Sequence, residues 1–282
     1  MASVIFLENQ NPKNSTKFLS NQKIEEKLWT SDRLSGIYHC TMNLHNIYLQ
    51  KFFEGMEEMS LSEHQELQET WQHGGGMQKQ NSWFYSLKIL KLENCEIQPC
   101  AIPSNILPYL RTLKELQVRG CNNVEVIFEM NAEEGTGSTF HLEKLALEKL
   151  PKLKDVWESN GKGTESFQNL RLVNVNVCEK LQSVFPLTLA KNLKKLEKLE
   201  ILYCHRLHEI VRKEDDTEAV FFFPCVTTLY LFDLPDLVYF YPEAFTLDCS
   251  ALNSLIVLSC PALKLFGSAN KQSIFFDLKV IQ

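Results

Sequence analysis

The stretch Asn192–Val211 reads NLKKLEKLEILYCHRLHEIV and contains the pattern on which the fold of this chain depends. Its apolar residues follow the order L-x-x-L-x-I-x-x-C-x-x-L-x-x-I, which begins at Leu196 and ends at Ile210. Leu199 and Ile201 are two residues apart, so they point to the same face of a strand. The three-residue steps on either side indicate a chain that turns inward repeatedly, not a helix with one apolar stripe. The stretch therefore predicts a short strand followed by a turn with a buried residue at its centre.

The same pattern recurs in register along the chain. LKELQVRGCNNVEVIF places Val118 at the position of Ile201, and LRLVNVNVCEKLQSVF places Val175 there. Copies follow one another at steps of 26 to 31 residues, and the central strand position is filled by Leu61, Leu92, Val118, Leu147, Val175, Ile201, Leu231 and Val257. Repeats of this period and leucine spacing are typical of a leucine-rich repeat solenoid. We expect an α/β horseshoe with a concave parallel β-sheet and a convex side of short helices and loops.

A longer period is superimposed on the repeat. The residue at the turn is a Leu followed by Pro at Leu150 and Leu234, whereas it is a cysteine at Cys95, Cys121, Cys178, Cys204 and Cys260. From Cys95 onward the order Cys, Cys, Leu-Pro therefore occurs twice, and 84 residues separate Leu147 from Leu231. We interpret this as tandem duplication of a block of three repeats. The turn cysteines are expected to be buried thiols that act as small apolar residues.

The repeat pattern also suggests how the chain is organised. Residues 1–50 contain only fragments of the pattern, so we expect a degenerate or partly ordered N-terminal end there. Residues 51–282 are expected to form the solenoid. Pro opens each of the segments 103–113 and 186–196, which favours helices on the convex side because Pro fits the first turn of a helix. Leu278 fills the opening position of a further repeat, so the sequence predicts a solenoid truncated at its C-terminus.

Composition argues against several classes of partner and location. The formal net charge is −6, which gives no basic footprint for nucleic acid. No apolar run approaches the roughly 18 to 20 residues of a membrane span. The N-terminus, MASVIFLENQ, lacks the leading positive charge of a secretory signal. Without such a signal, the cysteines are expected to stay reduced and the protein to be cytoplasmic.

The sequence provides no pattern that predicts catalysis, a cofactor or a metal. Gly161–Thr164 reads GKGT, which is too short for a phosphate-binding loop. Two groups of Cys and His residues could be considered as metal ligands or nucleophile pairs, namely Cys204, His205 and His208, and His39, Cys40 and His45. Their spacing matches no common zinc site, and the repeat position explains Cys204 better than a nucleophile does. We therefore predict no catalytic residues, no metal site, no cofactor and no enzymatic activity.

The strand residues that alternate with the buried leucines predict a binding surface. In the first six copies these positions are mostly polar or charged, as at Lys91, Arg119 and Glu148. Toward the C-terminus they become apolar, and we predict that a protein partner binds at Leu202, Tyr230, Phe232, Ile256 and Leu258. The alternative is that further repeats or a neighbouring domain cover these side chains.

Two segments show a resemblance to a known family. LEKLALEKLPKLKDVW (142–157) and FQNLRLVNVNVCEKLQSVF (167–185) resemble the C-terminal region of plant intracellular nucleotide-binding leucine-rich-repeat disease-resistance receptors, in particular the coiled-coil class. The resemblance covers about residues 56–281. It implies a module that senses pathogen effectors and restrains a nucleotide-binding switch domain. The implied partner is a pathogen effector, a guarded host protein or the receptor's own nucleotide-binding domain.

A second function class remains open at this stage. Leucine-rich repeats also serve as substrate-adaptor subunits of ubiquitin ligases, and such an adaptor needs an F-box-like helical segment near its N-terminus. Residues 1–50 contain no segment that supports this assignment. The receptor resemblance also has a limit, because this sequence contains neither the coiled coil nor the nucleotide-binding domain. ATP or ADP binding is therefore not implied for this chain.

Overall fold

A computed structural model describes residues 4–8, 37–39, 57–63, 82–130, 140–159, 167–212, 221–239, 247–248 and 251–263. In these ranges the chain is a parallel β-solenoid with few helices. Its strands are β1 (Val4–Glu8), β2 (Ile37–His39), β3 (Glu58–Ser62), β4 (Ile89–Glu93), β5 (Cys100–Ile102), β6 (Glu115–Arg119), β7 (Val126–Met130), β8 (Lys144–Glu148), β9 (Asp155–Ser159), β10 (Leu172–Asn176), β11 (Ser183–Pro186), β12 (Lys198–Leu202), β13 (Glu209–Arg212), β14 (Phe221–Phe222), β15 (Thr228–Phe232), β16 (Leu247–Asp248) and β17 (Ser254–Leu258).

One sheet contains a strand from every predicted repeat. Its order is β2-β1-β3-β4-β6-β8-β10-β12-β15-β17, and its neighbouring strands are parallel. The central strand residues lie opposite one another along this main sheet, as with Leu92, Val118 and Leu147. The same register continues through Val175, Ile201, Leu231 and Val257. The predicted register of the repeats is therefore confirmed. The fragments of the pattern at residues 44–49 and the position of Leu278 lie outside the described residues.

Alternation along each strand separates the core from the surface. In β12, Leu199 and Ile201 are buried, whereas Lys198, Glu200 and Leu202 are half-buried. The half-buried residues define what we call the open face of the main sheet. Ser60 is an exception, because the sequence places it on this face but it is only 3 % exposed. The buried side chains form one continuous apolar core along the solenoid.

Four of the five turn cysteines are buried as predicted, namely Cys95, Cys121, Cys178 and Cys204. Their thiols lie close to backbone carbonyls, and Cys204 Sγ is 3.3 Å from the oxygen of Leu202. Contact with the Cys204 side chain, together with burial, raises the pKa of the Cys178 thiol well above its usual value. Cys260 is only half-buried. It follows β17, the last strand of the main sheet, so no further described strand packs beside it.

The side of the solenoid beyond the turn differs from the prediction. We expected helices in 103–113 and 186–196, but the first segment contains a short 3-10 helix, Leu107–Tyr109, and the second a four-residue helix, α1 (Leu187–Ala190). Short strands come before these helices, and β5, β7, β9, β11 and β13 each begin five residues after a turn residue, as Val126 follows Cys121. Their residues, such as V-I-F in β7, are β-branched and aromatic and favour strands. The described residues thus form a parallel β-solenoid with few helices, as expected of leucine-rich repeats, and the α/β part of the prediction is not confirmed.

These back strands divide at the boundary of the two three-repeat blocks. β5, β7 and β9 form one sheet from the first block, and β11 and β13 form another from the second, which Tyr239 extends by a single bridge to Glu209. No ladder joins β9 to β11. The break is spanned by side chains, because Arg212 Nη1 donates to Asp155 Oδ1 at 2.8 Å and the rings of Trp157 and Phe185 stack 5.5 Å apart. The longer period of the sequence thus appears as a segmented back sheet.

A left-handed residue follows the strand in every strong repeat. The backbone φ lies between 52° and 64° at Glu63, Asn94, Gly120, Lys149, Val177, Tyr203, Asp233 and Ser259. Each of the first seven donates its N–H to the last strand residue of the next repeat, as Tyr203 does to the oxygen of Phe232 at 3.0 Å. We call this set the left-handed column. It turns the chain sharply and extends the hydrogen-bonded ladder by one residue.

Candidate functional site

The five predicted binding residues lie together on three adjacent strands. Leu202 ends β12, Tyr230 and Phe232 lie in β15, and Ile256 and Leu258 lie in β17. Leu202, Phe232 and Leu258 are opposite one another across the sheet, and Tyr230 is opposite Ile256. All five are half-buried on the open face. We call this group the apolar patch.

Aromatic rings form the centre of the patch and extend it. The rings of Tyr230 and Phe232 are 6.3 Å apart between centroids. Tyr203 packs edge-on against Phe232 at 5.1 Å and is itself 40 % exposed. Tyr203 was not predicted as a binding residue, because it belongs to the left-handed column and not to a strand. The available signal was an aromatic side chain directly before the turn cysteine, where other copies have Asn94 or Gly120.

The rest of the open face consists largely of charges that pair within the chain. In the first block, Lys91 Nζ is 2.8 Å from Glu58 Oε1, and Arg119 Nε is 3.5 Å from Glu148 Oε2. Next to the patch, Glu200 accepts from both Lys198 at 2.8 Å and Asn174 at 3.0 Å. Because these charged groups are paired within the chain, they do not require opposite charges from a partner protein. The side chains of the apolar patch carry no charge and take no part in this pairing.

A comparison with known families adds to this geometry. Residues 55–205 match the family model described as plant disease resistance protein RPS2-like, leucine-rich repeats. This match covers more than half of the 282 residues. The chain belongs to this family. It is thus a leucine-rich repeat region of a plant resistance protein, and such solenoids are typical scaffolds for protein interaction. No curated protein matches the chain.

The two blocks of this RPS2-like region share their core but not their open face. Core positions that correspond hold similar residues, such as Leu92 and Val175, or Leu147 and Leu231, and all four are buried. Some corresponding open-face positions differ in character, as with Arg119 and Leu202, Glu148 and Phe232, and Ala146 and Tyr230, whereas Lys91 and Asn174 are both polar. Packing explains why the core positions stay apolar. It does not explain why charged surface positions in one block are apolar in the other.

The Cys and His groups considered from the sequence do not converge in the RPS2-like solenoid. Cys204 Sγ contacts the oxygen of Leu202, His205 Nε2 lies 3.3 Å from Asp233 Oδ2, and His208 Nδ1 donates to the oxygen of Arg206. Across the described ranges, no three His, Cys, Asp or Glu side chains gather in a way that could hold a metal ion. Cys40, His45 and Gly161–Thr164 lie outside these ranges.

The described helices of this RPS2-like region are short. Within the part of the chain that the structure describes, no helix has both the length and the apolar character required to cross a membrane.

Proposed function

We propose that this RPS2-like region is the recognition module of a cytoplasmic plant immune receptor and binds a protein partner through the concave side of a horseshoe-shaped solenoid. The partner is a pathogen effector, a guarded host protein or the receptor's own nucleotide-binding domain. Binding then reports the pathogen or restrains the switch. The observation that carries the proposal is the apolar patch, whose five side chains lie in register on the open face.

The size and character of the patch support this role. Aromatic side chains are the usual anchors of protein interfaces, and Tyr230 and Phe232 lie at its centre. Removing apolar surface from water contributes roughly 25 cal/mol per Å², so burial of five such side chains can supply several kcal/mol of binding free energy. The paired charges at Lys91 and Arg119 contribute orientation more than affinity, as exposed charges at interface rims generally do.

Titration calorimetry tests the proposal. It measures binding of the whole chain to a purified nucleotide-binding domain of an RPS2-like receptor and to candidate effectors. Phe232→Ala and Ile256→Ala are expected to weaken binding by tenfold or more, on the order of the loss at interface hot spots. Glu93→Ala and Arg119→Ala are matched controls from the open face of the first block and should change affinity by less than about threefold. If the controls weaken binding as much as the patch variants do, the proposed site is wrong.

A further inference from the structure

Tyr203 directly follows β12, at the edge of the main sheet where the C-terminal ends of the strands meet, and it lies beside the apolar patch. Its N–H donates to the oxygen of Phe232 at 3.0 Å, and its ring packs edge-on against the Phe232 ring at 5.1 Å. The residue is nevertheless 40 % exposed. Tyr203 is therefore held by its backbone hydrogen bond and by the contact of its ring with Phe232, while the residue as a whole stays partly exposed to water.

The backbone at Tyr203 does not favour a tyrosine. Its φ is 53°, and the left-handed region is unfavourable for residues other than glycine. The corresponding residue of the first block is Gly120, with φ of 64°. The second block thus has an exposed aromatic ring where the first has no side chain. The same left-handed φ recurs throughout the left-handed column, so the tyrosine side chain, and not the backbone, distinguishes this position.

Two polar pairs lie close to Tyr203 in the chain. His205 Nε2 lies 3.3 Å from Asp233 Oδ2, next to Phe232. Glu200 accepts from Lys198 at 2.8 Å. A charged partner would have to compete with these pairs, whereas an uncharged partner leaves them intact. The electrostatics of this surface therefore favour an apolar segment without charges.

We infer that Tyr203 contacts the partner protein. The partner binds through an uncharged, apolar polypeptide segment. This segment runs across the open face and over the edge where the C-terminal ends of the strands meet. Phe232 joins the two parts of this surface, because it contacts both Tyr203 and Tyr230. The inference rests on the proposed function, since it requires that the apolar patch binds protein. It adds a binding residue and defines the chemistry of the bound segment.

The test uses a phage-displayed library of random peptides, selected on the unaltered chain. Enriched peptides are expected to contain aromatic and aliphatic residues with few charges, and their affinity should change little with added salt. Tyr203→Gly and Tyr203→Asn should weaken the binding of these peptides by about tenfold. Lys149→Gly makes the same backbone change in the left-handed column two strands away, and it should leave their affinity unchanged. Urea unfolding of each variant should show a midpoint equal to or above that of the unaltered chain.

The possible outcomes separate the two proposals. The enriched peptides could lose affinity for Phe232→Ala but bind both Tyr203 variants as tightly as they bind the unaltered chain. That result would overturn the role of Tyr203 and leave the proposed function standing. Peptides insensitive to Phe232→Ala as well would overturn both. Enrichment of acidic or basic peptides would contradict the inferred chemistry of the partner. An equal loss of affinity in Lys149→Gly would show that the left-handed turn, and not the tyrosine ring, is what matters.

Discussion

Val177 is the least suitable residue in the left-handed column. It has φ of 54° and a side chain branched at Cβ, which makes this conformation more costly than it is for an unbranched residue. The turn requires the conformation nonetheless, because the Val177 N–H donates to the oxygen of Leu202 at 3.0 Å. The hydrogen-bonded ladder thus imposes a backbone on this residue that its own chemistry disfavours.

Replacing Val177 with asparagine should therefore stabilise the protein. Asn tolerates the left-handed region, so Val177→Asn is expected to raise the free energy of unfolding by about 1 kcal/mol. Lys149→Asn is the matched control, because Lys149 has φ of 55° but no branch at Cβ, and it should gain less. Urea denaturation of both variants measures the difference. A loss of stability in Val177→Asn would show that packing of the valine outweighs its backbone strain.

Strand β12 shows how one element separates stability from recognition. Leu199 is buried in the core, while its neighbour Glu200 lies on the open face and accepts from Lys198 and Asn174. Leu199→Ala should lower the free energy of unfolding by about 2 to 5 kcal/mol, because it leaves a cavity. Glu200→Ala should cost less than about 1 kcal/mol, since partly exposed ion pairs contribute little. Similar losses for the two variants in urea denaturation would contradict the assignment of faces in β12.

The strands were predictable from the sequence, but the segments that connect them were less so. Strand register follows from residues such as Leu92 and Val118, because burial on one face specifies it strongly. The left-handed column could not be predicted in this way, since its members range from Gly120 to Val177 and share no chemistry. The back strands were not predicted, because they are only three to five residues long and the proline at the start of 103–113 and of 186–196 favoured helices instead. Tyr203 was missed because it belongs to the left-handed column, so its position was not recognised as a surface position.

At the scale of the whole molecule, burial of the turn cysteines reports whether the repeats are stacked correctly. Cys95, Cys121, Cys178 and Cys204 are buried in separate repeats, whereas Cys225 is exposed. Burial also affects Cys100, because it raises the pKa of this thiol to about 12 and so keeps it protonated at pH 8, where an exposed thiol is partly ionised. Correct stacking along the chain should therefore be visible in the reactivity of individual thiols.

Labelling of the native protein at pH 8 with a thiol reagent tests this expectation. Peptide-resolved mass spectrometry should show rapid modification of Cys225 and slow modification of Cys100 and the four buried turn cysteines. Cys260 should react at an intermediate rate because it is half-buried. Unfolding in urea should make the rates similar. Rapid native labelling of Cys121 or Cys178 would mean that the repeats are not stacked in the register described.

The break in the back sheet between β9 and β11 has a consequence for how such genes can change in length. Each block contains its own back sheet, and in the described residues side-chain contacts such as that between Arg212 and Asp155 connect the two back sheets, while the main sheet continues across the boundary from β8 to β10. An in-frame gain or loss of a whole block would keep a Leu-Pro repeat beside a Cys repeat at every junction. Loss of a single repeat would instead place side by side two back strands that are not neighbours in the present order. The number of repeats is therefore expected to change most easily by three at a time.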